Sequence, residues 1–182
     1  MLPLDCDHPL RRLFAGLVED SFYSQVGICD PILTAYVVDL LIEFMHMDRL
    51  TVLSTAEDKD LDRLAAMLAV TESHRPMSET QRDRLIYRHI GDYALFWAGV
   101  YPEHLQSRRA KRRDVLADFV TKGKRSYAIA SQLAGENDNP SCSLFRHLSE
   151  DFEHCLHGLG LVRQGWEQTP REKRPPPGEL LI

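Results

Sequence analysis

Glu43-Phe-Met-His46 sets a carboxylate and an imidazole three residues apart. On a helix that step brings both groups to one side, where they can be presented to a metal held between helices. Asp151-Phe-Glu-His154 repeats the step with a shorter acid, and His147 lies one turn before Asp151. Two cations held close together require anionic oxygens to offset their repulsion, which further helices supply as lone carboxylates. Glu19 and Asp92 are the candidates for that part, and iron or manganese is the metal this mixed set would take.

In chain order, Glu19, Glu43-x-x-His46, Asp92 and Asp151-x-x-His154 resemble the alternating carboxylate and Glu-x-x-His pattern of ferritin-like di-iron proteins. The resemblance implies a dimetal oxidoreductase or metal-binding protein with those six residues as ligands. The chain departs from the pattern at Asp151, one methylene short, and in an additional helix between Asp92 and Asp151. The competing reading needs no cofactor. It makes Asp39, Glu43 and His46 the solvent stripe of an otherwise apolar helix, and has His147 and His154 hydrogen-bond at the edge of the core.

A second constellation lies in Tyr87 to Glu103, which concentrates aromatic residues around His89 and Asp92. Ile86, Ile90, Tyr93 and Trp97 share one helical face, and Leu85, His89, Asp92 and Phe96 its neighbour. A helix apolar on two adjacent faces is central, so its acid and imidazole need partners, with Arg88, Arg125 and Tyr127 within reach. His89, Asp92, Tyr127 and His147 form the candidate polar pocket. The same segment, with Lys122 to Ala128 and Phe152 to Trp166, resembles stretches of uncharacterised all-helical bacterial proteins, a resemblance that implies no activity.

The third constellation is electrostatic. Arg108, Arg109, Lys111, Arg112, Arg113, Lys122, Lys124 and Arg125 face only Asp114 and Asp118 in their stretch, within a chain whose net charge is −5. Such a patch is a candidate for anions or nucleic acid. The acidic remainder argues against a dedicated nucleic-acid binder, and charge runs more commonly form solvated faces. Phosphate-loop, dinucleotide, Gly-x-Ser-x-Gly and His-Glu-x-x-His signatures are all missing.

The elements that must position these residues are helical, because apolar residues recur at three and four spacing and alternating stretches are lacking. One helix runs from Pro9 to Val26 and ends at Gly27; Asp30-Pro31 caps and opens a second, to His46 or Arg49. A third spans Lys59 to Val70. Ser78-Glu-Thr-Gln81 opens a fourth, to Tyr101, which Pro102 stops. A fifth spans Arg113 to Ala134, where Gly123 permits close approach of another helix. Ser141 or Ser143 caps a sixth, to Trp166, with Leu144, Leu148, Phe152, Cys155, Leu159 and Val162 as its core line and a kink near Gly158 to Gly160.

The expected fold is therefore all-α: a single-domain bundle of about six helices over residues 1–170, with an extended, proline-rich tail over 171–182. The longest apolar stretch, Ala35 to Met47, is broken by Asp39, Glu43 and His46, so no membrane span is expected. Cys6, Cys29, Cys142 and Cys155 lack metal or disulfide-framework spacing, and the N-terminus lacks a secretory pattern, which together point to the cytoplasm. The leading functional expectation is a soluble helical binding protein without an evident catalytic motif. It would engage a protein partner or a second copy of itself through an aromatic helix face, the basic segment or the Leu180-Leu-Ile182 end.

Overall fold

The computed structural model describes residues 8–51, 79–106, 115–133 and 140–169. The expected helix over 59–70, the Ser78 cap, the basic residues 108–113 and the tail over 171–182 lie outside the described residues. Every regular element among the described residues is helical. In chain order they are α1 (Pro9–Glu19) with a π-helical continuation (Asp20–Val26), α2 (Pro31–Thr51), α3 (Glu79–Val100), α4 (Pro102–Gln106), α5 (Val115–Leu133), α6 (Cys142–Glu150) and α7 (Phe152–Gln168). No described helix is long and apolar enough to cross a membrane. The chain packs as two compact units.

The first unit takes in α1, its continuation, α2 and α7 from His157 onward. Pro9 opens α1 where its missing N–H is no loss, and His8 Nδ1 accepts the Leu10 N–H at 3.2 Å. Phe14, Val18 and Phe22 are all fully buried. Steps of four overshoot a turn of about 3.6 residues, and the wider π turn after Glu19 is where the third of them, Phe22, falls. Gly27 then closes the helix at φ 87°, a left-handed conformation that glycine adopts without strain, and its N–H and that of Ile28 both donate to the Phe22 carbonyl.

Asp30 Oδ1 accepts the N–H groups of Ile32 and Leu33 at 2.9 and 3.2 Å, so α2 starts as the Asp-Pro pair predicts. Leu33, Val37, Leu40, Leu41 and Phe44 are buried, while Ile32, Ala35 and Asp39 form a narrow exposed stripe that Glu43 continues, half-buried. Arg11 on α1 donates to Asp39 across this edge. Gly158 of α7 faces the Phe22 ring so closely that a Cβ there would lie 2.5 Å from it, and Trp166 meets Phe14 edge-on at 4.8 Å. Gly158, in the stretch where a kink is expected, makes room for an aromatic ring.

The second unit holds α3 to α6 and the first turn of α7. α3 packs against α5, and α5 against α6. From Ile90 onward α3 is buried on adjacent faces; before it, Leu85 is 41% exposed and His89 is exposed as well. Pro102 does stop α3, yet it also opens the short α4, because proline suits a first helical position. Ser141 caps α6 through the Leu144 N–H. The expected sixth helix is divided at Asp151, whose φ and ψ are −98° and 23°. Backbone bonds from Asp151 to His147 and from Cys155 to Asp151 carry across the junction, and Leu144, Leu148, Phe152, Cys155, Leu159 and Val162 are each buried.

A Cβ on Gly123 would stand 2.5 Å from the Phe152 ring and 2.7 Å from Ala94 Cβ, so α5 meets both neighbours at a point only glycine allows. Gly123→Val is expected to overpack this crossing and lower unfolding stability by about 1–3 kcal/mol, read by urea titration. A stability equal to wild type would mean the crossing opens without cost.

Candidate functional site

Among the described residues of the second unit, Asp92 is the buried acid, 4% exposed. Tyr127 Oη donates to its Oδ1 at 2.7 Å, and Arg88 Nε reaches Oδ2 at 3.4 Å from one turn earlier on α3. Burial of a carboxylate is costly unless charge and hydrogen bonds offset it, and these two partners provide both. Tyr127 is itself fully buried, stacked on Phe145 at 6.1 Å and tilted against Phe152. Of the polar pocket expected from sequence, Asp92 and Tyr127 come together, whereas His89 and His147 are exposed. The pairing is a buried clamp between α3 and α5.

Of the six expected metal ligands, Asp92 is held by Tyr127 and Arg88. Glu19 is exposed and Glu43 half-buried; the His46 side chain lies outside the described residues. Asp151 Oδ1 and His154 Nδ1 lie 3.4 Å apart at the surface. Among the described residues no three histidine, cysteine, aspartate or glutamate side chains gather closely enough to hold a metal ion. Of the basic segment, Lys122 and Arg125 are exposed on α5, and Lys124 Nζ donates to both oxygens of Glu153 at 2.9 and 3.0 Å. That hydrogen bond, followed by the backbone, holds the Glu153 carboxyl below its ordinary range. Its contribution is present above the ordinary carboxylate pKa and fades as pH falls, and both side chains are about half exposed, so it is small.

A groove of about 410 Å³ runs between α5 and α6. Ala128, Ser131 and Gln132 form one wall, and Cys142, Arg146, Ser149 and Glu150 the other. The two serine hydroxyls are used locally: Ser131 Oγ donates to the Ala128 carbonyl at 2.7 Å and Ser149 Oγ to the Lys124 carbonyl at 2.9 Å. Arg146 and Glu150 are exposed and one helical turn apart, yet among the described residues neither makes an ion pair. The rim therefore offers an open guanidinium, an open carboxylate and the Gln132 amide. Nothing in residue type marks this site in the sequence, since an Arg and a Glu four apart are commonplace on an amphipathic helix.

The described cysteines differ in reactivity for a physical reason. Cys155 is fully buried, and burial, helped by the Asp151 charge, pushes its thiol up to about 12; Cys29 is exposed. A maleimide at pH 8 is expected to modify Cys29 in the native protein and Cys155 only after unfolding, as read by peptide mass mapping. Rapid native labelling of Cys155 would contradict the packing of its helix. Tyr127→Phe removes the donor from a buried carboxylate and is expected to cost about 1–3 kcal/mol. Tyr23→Phe, which loses only a part-buried 3.3 Å contact with Thr34, is expected to cost about 1 kcal/mol or less on the same urea titration.

No family model, no curated protein and no solved structure matches this chain, so its function is to be read from its own residues.

Proposed function

We propose that the chain is a helical binding protein, acting by contact rather than by catalysis, and that it engages another protein through the groove between α5 and α6. One observation carries the reading: Arg146 and Glu150 stand on the groove's rim with their charges unused among the described residues, while the buried acid of the same unit is held by Tyr127 and Arg88. A guanidinium and a carboxylate on the rim of a cleft that Ala128 and Cys142 also line favour charge-complementary contact. The walls are two helices, the geometry that accepts a third helix or a side-chain ridge. A small molecule instead favours a cleft that covers most of its surface. Here Gln132, Arg146 and Glu150 are all exposed.

The reading is tested with a photo-crosslinking residue at Gln132, compared with the same residue at Gln164, which is exposed on α7 and does not line the groove. In cells that naturally carry the protein, irradiation is expected to give a discrete higher-mass protein adduct from position 132 alone, diminished by Arg146→Glu. No adduct, or the same adducts from both positions, would overturn the reading.

A further inference from the structure

We propose that the occupant of the α5–α6 groove is a second copy of this chain. The two α6 helices run antiparallel about a two-fold axis, so that Arg146 meets Glu150 of the partner subunit and Glu150 meets the partner's Arg146. This rests on the binding reading above and names its partner.

The first ground is charge complementarity. A two-fold interface is self-complementary: if residue i touches residue j, residue j touches residue i. Arg146 and Glu150 lie one turn apart on the same exposed side of α6. An axis perpendicular to the helix between them exchanges their positions and pairs opposite charges twice. Exposed Ser143 and His147 beside them add no acid to the contact. A second copy carries the inverse pattern at the same spacing by construction.

The second ground is that both groups remain available. Arg163 and Glu167 on α7 have the same order and spacing, and they close on each other at 2.8 Å. Arg88 and Asp92 on α3 do so at 3.4 Å. Among the described residues, the equivalent pair on α6 stays open at the edge of a groove. Each groove is thus completed by charge from the other copy. A net charge of −5 opposes self-association overall, and contact is favoured where the charges balance.

Sedimentation velocity of the purified full chain over a wide micromolar range decides the matter. Wild type is expected to dimerise reversibly, and more weakly in high salt. Arg146→Glu and Glu150→Arg, each felt twice across the axis, are expected to weaken the dimer by about tenfold or more. The double variant R146E/E150R is expected to recover it to within about threefold. Circular dichroism of each variant checks that the exposed substitutions leave the helices intact. A wild type that stays monomeric throughout overturns the proposal, as does a dimer that the single substitutions leave unchanged or that the double variant does not recover. If the chain is monomeric while Gln132 crosslinks to a different protein in cells, the second copy is excluded and the binding reading stands. If Gln132 also yields no adduct, both fall.

Discussion

Gly91 and Gly123 let α3 and α5 come together more closely than side chains would permit, and the second unit depends on that approach. A Cβ at Gly91 would lie 2.7 Å from the Tyr127 ring, and one at Gly123 would run into Phe152 and Ala94. With the helices this near, the Tyr127 hydroxyl reaches Asp92 at 2.7 Å, and the ring fills the space between α3, Phe145 and Phe152. Steric permission and polar satisfaction depend on each other here. Were the helices further apart, Asp92 would lose the Tyr127 donor. Were Tyr127 smaller, the close approach would leave a cavity lined by aromatic rings. The pair sets the position of α5, and α5 supplies one wall of the groove that meets α6.

Features that rest on local chemistry are legible along the chain. Asp30 and Pro31 start α2 because an acceptor must satisfy the first N–H groups and proline lacks one to lose. The stripe from Leu144 to Val162 is readable because its period matches the helix, and all six positions are buried. Gly123 was identifiable as a point of close approach because it falls on the apolar face of α5. Features that depend on distant partners are not legible in this way. The π turn at Asp20 is set by the need to keep Phe22 buried beneath Gly158, more than a hundred residues later. The division at Asp151 falls in a stretch with no breaker residue, and Gly158, which does look like a breaker, packs inside a helix.

The same distinction governs the titratable residues. Glu-x-x-His and Asp-x-x-His steps say that two groups share a helical face, but they do not say whether that face turns inward. Asp151 and His154 lie on the outer side of the α6–α7 line, 3.4 Å from each other. Asp92 belongs to no such pair, and what distinguishes it is its position on a helix that becomes buried from Ile90 onward. Sequence reading brings Asp92 and Tyr127 together because both lie on faces that must turn to the core. It also draws in His89 and His147, whose faces turn outward. Burial, more than spacing, separates the two outcomes.

Energetics set the groove apart from the clamp. A buried carboxylate tolerates no loss of partners, since an unpaired charge in the core costs several kcal/mol, on the order of 3–5. Asp92, Tyr127 and Arg88 are therefore committed to holding the fold and cannot be exchanged for an outside ligand without unfolding their surroundings. A solvent-exposed ion pair adds only about 0–1 kcal/mol, so leaving Arg146 and Glu150 open takes little from stability. Recognition can be placed on such residues because the fold does not need them. Substitution there changes what the surface meets while the clamp beneath keeps α5 where it is. α5 is held against α3 by glycine contacts and the buried Tyr127–Asp92 hydrogen bond, and Arg146 and Glu150 take part in neither.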